Sequence, residues 1–351
     1  MHINTTKTYK KKRFWAGILL AQFLLFYTFS KLQIVVSFFE KIFEFQKRIH
    51  QIFFAWIPFS FGDLLYILLI YLIIKLFKKK TRSSALFNIL IILNIVYFTY
   101  QVFWGMLYFQ TPIIAKLPKT EITLEVRKAL ALEYLEKSKA TRKLVKEDKN
   151  GVFVIKDLNA IQQEILDRQK TLPTFITHKK SSDINSFKPS LFGKTMSFTG
   201  ILGYYNPFTA EAQFNAELPS SYLPFTLSHE SSHQLGFARE QEANFIGYLI
   251  GVHSKNPELR YSTEYFTLKS LLNSIVEEDE MFVKTALGNY SEEMKRDRLN
   301  ERKFIAEHQG YLNDFFGFTN NLFLKSNQQE GAITYSYFID LLVRYKSMYI
   351  K

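Results

Sequence analysis

The chain of 351 residues contains no cysteine. This absence excludes disulfide bonds and thiolate metal ligands, although it is compatible with every cellular compartment. Any metal site would therefore be built from histidine and carboxylate side chains. Internal repeats and low-complexity tracts are also absent, so no repeat architecture is expected.

Charged residues are almost absent from three apolar runs near the N-terminus. Residues 14–30 contain none, and residues 58–77 and 85–108 form longer runs, with Asp63 and Lys75 near the ends of the first of these two. The sequence therefore predicts three transmembrane helices. No small-residue cleavage site closes the first run, which favours an uncleaved anchor over a signal peptide.

Residues 36–55, between the first two spans, are predicted to form an amphipathic helix. Apolar residues such as Phe38, Ile42 and Phe45 recur there at helical spacing, with charged residues between them. Such a helix could lie in the bilayer surface, or it could pack on the domain outside the membrane. The sequence alone leaves both interpretations open.

The net charge of +13 is concentrated beside the apolar runs. Residues 1–82 hold 14 Lys or Arg and only three acidic residues, so the remaining residues are nearly neutral. This distribution removes the main support for nucleic-acid binding. The positive-inside rule places the N-terminus and the loop after the second span in the cytoplasm, so residues 111–351 would lie outside it. The chain would then be a multi-pass membrane protein, with the lipid bilayer as a partner and its C-terminal domain outside the cytoplasm; in a two-membrane bacterium this is an inner-membrane protein with a periplasmic domain.

The fold class expected for the whole chain is α+β. Residues 1–110 form the membrane region, and residues 111–351 form a mostly helical domain with a small β-sheet. Residues 208–218 alternate between apolar and polar side chains without exception, which predicts a half-buried strand. Ala210, Ala212 and Phe214 lie on its apolar face.

The stretch His229-Glu230-Ser231-Ser232-His233 carries the strongest chemical signal. On a helix, residues four apart share one face, so His229 and His233 can present two imidazoles to one zinc ion. The Glu230 carboxylate can then act as a general base on a water at the metal. The alternative is a solvated helix with two incidental histidines.

Zinc in a catalytic site needs a third protein ligand and an open fourth position. Gly236 can end the first helix with a positive φ, and a second helix starting near Ala238 would carry Glu240 back towards the metal. Asn244 lies one turn further on and could hydrogen-bond a metal ligand. Glu242 is the second-ranked candidate for the third ligand.

The patterns His-Glu-x-x-His and Glu-x-x-x-Asn resemble those of gluzincin metallopeptidases, with Asn244 where that group has Asp. More closely, residues 203–249 and the three preceding apolar segments resemble the bacterial membrane family called domain of unknown function 3810. The resemblance implies a zincin-like domain with one zinc ion. It also implies that the strand near the metal-binding helix is an edge strand that pairs with an extended peptide or protein substrate.

The expected function is that of a membrane-anchored zinc metallopeptidase acting outside the cytoplasm, with Glu230 as general base. Two alternatives remain: an inactive zinc-binding scaffold or peptide receptor, and a hydrolase of cell-wall peptides. Proteolysis within the bilayer is disfavoured because the metal-binding helix is too polar for a span. Several side chains are candidate donors to the oxyanion of the transition state, and the sequence does not choose among them. They are Tyr204, Tyr205, Tyr335, Tyr337, Arg239 and His253.

Overall fold

The computed structural model of the chain describes residues 12–78, 82–310 and 334–349. Its helices are α1 Lys12–Ser30, α2 Gln33–Phe54, α3 Phe61–Lys78, α4 Arg82–Phe103, α5 Leu124–Arg142, α6 Leu158–Gln169, α7 Gly193–Thr199, α8 Leu223–Gln234, α9 Glu240–Val252, α10 Pro257–Ile275, α11 Glu280–Gly288, α12 Glu292–His308 and α13 Thr334–Ser347. Short 3-10 turns occupy Gly105–Phe109 and Ile113–Lys116. The strands are β1 Phe187–Pro189, β2 Gly203–Asn206 and β3 Glu211–Phe214. The predicted combination of many helices and a small sheet is confirmed.

Two described helices, α1 and the part of α4 from Ala85 to Phe103, are long and apolar enough to cross a membrane. They run side by side in the same direction, because Asn94 of α4 bonds the Trp15 carbonyl of α1 while Tyr97 packs on Phe26 further along. Residues 58–77, the remaining predicted span, are largely helical in α3, and their crossing of a membrane stays a prediction.

The predicted span 85–108 is too long at its C-terminal end. Helix α4 stops at Phe103, and the 3-10 turn that follows is buried in the rest of the protein. Trp104, Leu107 and Tyr108 form a cluster there with Phe43 of α2 and Tyr205 of β2. The apolar run continues past the helix end because these side chains pack on protein.

Helix α2 has two apolar faces. One packs on the C-terminal part of the chain, where Phe43 is buried and the buried Gln51 side chain exchanges hydrogen bonds with Ser182 and Ser186. The other face is exposed, with the side chains of Ile34, Phe38, Phe45 and Ile52, and Trp56 in the turn after the helix is exposed on the same side. Packing on the C-terminal part of the chain therefore accounts for one apolar face of α2. The other face has the exposed apolar side chains that are typical of a helix lying in a bilayer surface.

The sheet has the strand order β1-β3-β2, with β1 parallel and β2 antiparallel to β3. The prediction of a strand over residues 208–218 is therefore wrong in its length, and the expected position at the edge of the sheet is also wrong. Only Glu211–Phe214 is extended, and this strand is central, so it cannot be the edge that pairs with a substrate. Ala210 lies in the preceding turn with φ 56°, and its N–H bonds the Asn206 carbonyl.

Both faces of β3 are buried, contrary to the half-buried strand that the alternation predicts. Ala212 and Phe214 pack into the apolar core with Leu223 and Leu227 of α8. The polar face meets the corner between α2 and α3, where Glu211 accepts the backbone N–H groups of Phe61 and Gly62. Polar residues thus alternate along this strand because they bind another segment of protein.

The core of the C-terminal part lies between α5, α8, α9, α10 and α13. A buried ion pair joins α5 to α12, with Arg142 Nε 2.6 Å from Asp297 Oδ2. Asp297 also accepts the hydroxyl of Tyr261 and the N–H of Phe153, so all its bonds are internal. Removing one partner of such a pair leaves an uncompensated buried charge.

We expect Asp297→Ala to lower the free energy of unfolding by about 3–5 kcal/mol, because Arg142 loses its buried partner and keeps the partly exposed Glu147, while Tyr261 and Phe153 lose their acceptor. Lys284→Ala removes one partner of an exposed ion pair and should cost at most about 1 kcal/mol. Denaturant unfolding of both full-length variants in detergent, followed by circular dichroism, measures the difference. Equal losses would contradict the role given to Asp297.

Candidate metal centre

Helix α8 brings His229 and His233 to one face, as their spacing predicts. Its opposite side is buried through Leu223 and Leu227, which fixes the rotation of the helix. Of the intervening polar residues, Ser231 and Ser232 both donate their hydroxyls to the Ser228 carbonyl. These local bonds allow a polar helix to be buried almost completely.

Gly236 ends this segment with φ 91°, the left-handed conformation that the sequence predicts. Helix α9 then begins at Glu240, whose carboxylate oxygens lie 3.2 Å from His229 Nε2 and 3.6 Å from His233 Nε2. The three ligand atoms all lie within 4.8 Å of one another. Zinc bonds of roughly 2.0–2.2 Å in a tetrahedral site place neighbouring ligand atoms about 3.3–3.6 Å apart, so these residues fit an ion with small adjustments.

Each imidazole is oriented through its other nitrogen. His229 Nδ1 lies 2.8 Å from Asn244 Oδ1, and His233 Nδ1 lies 2.7 Å from the Phe237 carbonyl. Both partners are acceptors, so they select the tautomer with a proton on Nδ1 and a free Nε2 lone pair. Asn244 thus lies beside His229, and the arrangement is the one that metal-bound histidines show.

Glu230 lies beside the pair of histidines and is 4% exposed. Among the described atoms its buried Oε2 has no hydrogen-bond partner. Burial raises the pKa of Glu230 to about 8, an effect that His229 opposes and the Glu240 charge reinforces. A carboxyl group with a raised pKa and a free oxygen is suited to accept and return a proton.

Gly203 of β2 borders the Glu230 carboxylate. A Cβ atom at this position would lie 2.7 Å from Glu230 Oε1, so a larger residue would displace the carboxylate. Since β2 forms one edge of the sheet, the backbone that approaches Glu230 belongs to an edge strand. The sequence analysis expected the edge strand near the metal-binding helix at Ala210, Ala212 and Phe214. In the structure, residues 203–206 form the edge strand next to Glu230 instead.

The structure distinguishes the two candidate glutamates of α9. Glu242 is buried away from the histidines, where its Oε1 accepts the Ile113 N–H at 2.8 Å and the Arg239 guanidinium at 3.2 Å. It anchors the linker that follows α4. Glu240 instead faces the histidines: burial raises the pKa of its carboxyl, but the electrostatic interaction and hydrogen bonds with His233 and His229 outweigh this effect and hold the pKa well below the usual range.

Two residues that the sequence analysis placed in a membrane span lie at the site. The Trp104 ring meets the His233 ring edge-on at 5.8 Å. Tyr108 is fully buried, which raises the pKa of its hydroxyl, and it lies within electrostatic reach of Glu240. Gly105, directly after Trp104, was the available signal that the span ends there.

The six candidate oxyanion donors are not brought together. The Tyr204 hydroxyl donates to Asp63, Arg239 binds Glu242, and Tyr205 packs on Trp104 with a ring distance of 4.8 Å. His253 follows the last turn of α9, about 20 Å along the helix from Glu240.

The remaining two candidates are on the last helix. Tyr337 lies on α13, which packs against α9 and α10. The side chain of Tyr335 is outside the described part of the chain. The choice of oxyanion donor therefore stays a prediction.

The chain belongs to the family described as Protein of unknown function (DUF3810), whose model matches residues 38–343. The match includes α2, α4, the sheet and the whole candidate site, and it carries no stated activity. A search of curated proteins finds no match. A search of solved structures also finds none. The candidate site therefore has to be interpreted from its own geometry.

We expect the purified full-length chain to hold about one zinc ion under metal-replete conditions, because two imidazoles and a carboxylate face one point. His233→Ala and Glu240→Ala should lose the metal, whereas Glu242→Gln should retain it, since the amide oxygen can still accept from Ile113. Elemental analysis of folded samples measures this. Metal loss in Glu242→Gln but not in Glu240→Ala would reverse the assignment of the two glutamates.

Proposed function

We propose that this protein is a membrane-anchored zinc metallopeptidase that hydrolyses peptide bonds outside the cytoplasm. The observation that carries the proposal is the convergence of His229, His233 and Glu240 within 4.8 Å, directly beside the buried carboxylate of Glu230. Two imidazoles, one carboxylate ligand and an adjacent carboxylate base form the donor set of a hydrolytic zinc site with an open position. The described residues offer no further histidine or acidic ligand in this cluster.

Each residue has a distinct role in the proposed reaction. His229, His233 and Glu240 would hold zinc, and bound zinc would supply the Lewis acid that makes water nucleophilic at neutral pH. Glu230 takes a proton from the attacking water through its free oxygen and later returns it to the leaving amine. Asn244 and the Phe237 carbonyl keep the two imidazoles in the required tautomer and orientation.

The substrate is proposed to be an extended peptide that pairs with β2. Backbone pairing at a sheet edge gives affinity without demanding a particular sequence. Gly203 brings the backbone of this strand next to Glu230, so a peptide on this edge would have a carbonyl group close to the base. This assignment replaces the role first given to β3.

The proposed topology has three spans with the N-terminus in the cytoplasm. Helices α1 and α4 are parallel, and both meet α2 near their C-terminal ends, where Phe26 packs on Phe39 and Gln46 bonds the Phe103 carbonyl. Helix α3 starts beside the sheet and leads back to the start of α4. Because α1 and α4 run in the same direction, the chain has to return across the membrane between them. Helix α3 is the segment proposed to make this return.

In this topology the candidate site lies close to the non-cytoplasmic surface of the membrane that the helices cross. Trp104 directly follows the apolar helix α4 and touches His233. Peptide segments near the bilayer, including the juxtamembrane parts of other membrane proteins, would reach the site most easily. An inactive zinc-binding receptor for such peptides is the alternative, and it makes no use of the free Glu230 oxygen.

We expect Glu230→Gln to lower peptidase activity by roughly 10²- to 10⁴-fold, because an amide cannot accept the proton from water. The metal content should stay unchanged, since Glu230 is not one of the three ligands. Cleavage of a mixture of fluorogenic peptides by the full-length protein in detergent measures the activity, and elemental analysis measures the metal.

Glu136→Gln, which alters an exposed glutamate on α5, is the matched control and should keep full activity. Removal of zinc by a chelator should abolish cleavage, and added zinc should restore it. Full activity in Glu230→Gln would refute the proposed mechanism. A zinc-loaded wild type that cleaves nothing would favour the receptor.

A further inference from the structure

A cavity of about 630 Å³ lies between α2 and the loop that joins α6 to β1. Helix α2 contributes Glu44, Lys47, Arg48 and Gln51, and the loop contributes residues 170–184. The cavity is separate from the candidate metal centre, and the proposed peptidase reaction makes no use of it.

The lining of this cavity is strongly basic. The lining holds five Lys or Arg side chains and two carboxylates, those of Glu44 and Asp183, and Lys170 is also paired with Asp167 at 3.0 Å. The five are Lys47, Arg48, Lys170, Lys179 and Lys180. An excess of cationic donors in a concave site attracts anions, and phosphate oxygens are strong acceptors for several donors at once.

Two of the lysines are held below the surface. Lys47 Nζ contacts Glu44 Oε2 at 3.0 Å and the Lys180 carbonyl at 3.1 Å, and its side chain is 4% exposed. Lys179 Nζ donates to Gln110 Oε1 at 2.6 Å and lies over the Phe237 ring. Burial lowers the pKa of both lysines, because the charged form of each side chain is less stable away from water. An anion in the cavity would offset this cost.

The position of α2 indicates where the anion comes from. The exposed apolar stripe of this helix and the turn after it, Ile34, Phe38, Phe45, Ile52 and Trp56, faces away from the protein. Lys41 and Arg48 are exposed on the same helix, along one border of the stripe. Helices α1 and α4 meet the buried face of α2 near their C-terminal ends, so α2 lies at the level where the candidate spans end. Arg48 therefore lies between the exposed apolar stripe and the basic cavity.

We propose that this cavity binds the phosphate headgroup of an anionic phospholipid, while the acyl chains stay in the bilayer beside α2. A basic residue next to an apolar surface helix is placed at the depth of lipid headgroups. The headgroup would contact Arg48 and Lys180 at the rim and approach Lys47 inside. It would thereby fix the loop that carries Lys179, which is bonded to Gln110 close to the candidate metal centre.

The test uses the full-length chain in a nonionic detergent, titrated with dioctanoyl phosphatidylglycerol or with dioctanoyl phosphatidylcholine. Native mass spectrometry counts the bound lipids and gives the dissociation constants. We expect phosphatidylglycerol to bind about tenfold more tightly than phosphatidylcholine, because the basic lining favours a net negative headgroup. The double variant Arg48→Gln, Lys180→Gln should lose this preference.

The matched control is Lys143→Gln, Lys149→Gln, which removes the same charge from two exposed positions that neither line the cavity nor border the apolar stripe. It should bind phosphatidylglycerol within about twofold of the wild type, since general attraction to the overall charge is the same in both double variants. Circular dichroism shows that both variants fold. Equal loss in the cavity variant and the control would overturn the proposal, as would equal binding of the two lipids by the wild type.

Glycerol phosphate and inorganic phosphate distinguish a lipid from a soluble source of the same chemistry. We expect either solute to compete with phosphatidylglycerol only at concentrations far above those of the lipid, because neither can use the apolar stripe. Competition at equal concentration would assign the cavity to a soluble phosphate compound and overturn the lipid proposal.

Discussion

The contact between Glu211 and the start of α3 ties the sheet to the apolar helices. The carboxylate is fully buried in the central strand and accepts the N–H groups of Phe61 and Gly62 at 3.0 and 2.7 Å. These groups have no partner within their own helix, and the positive end of the helix dipole favours the negative charge. Asp63 adds a second link by accepting Ser190 and Leu191. These bonds fix the orientation of the sheet relative to α3, and with it that of the candidate metal centre.

The geometry of the candidate site was predictable from the sequence because it depends on short spacings. Helical periodicity alone brings His229 and His233 together, and Gly236 with its positive φ turns the chain so that Glu240 and Asn244 return to them. Interactions over fifteen residues or fewer carry this geometry. The preference for Glu240 over Glu242 also follows from the direction of side chains on α9.

The features that the sequence did not predict depend on contacts between distant segments. Alternation in residues 208–218 specifies two different faces, but it does not say whether the polar face meets water or protein. Glu211 and Gln213 meet Ser60, Phe61 and Gly62, about 150 positions earlier in the chain. In the same way, the hydropathy of residues 85–108 cannot separate a side chain that faces lipid from one that packs on His233.

These distant contacts also join the membrane region to the rest of the protein. Phe43 of α2, Trp104, Tyr108 and Tyr205 form one cluster across the predicted boundary at residue 110. A fragment that starts after this boundary would expose the polar face of the sheet and remove the aromatic ring beside His233. Burial of several aromatic side chains contributes roughly 1.5–3 kcal/mol each, so their loss is large compared with the stability of a typical domain. The candidate metal centre is therefore formed jointly by the C-terminal part of the chain and the segments next to the candidate spans, and the full chain is the unit in which its chemistry has to be studied.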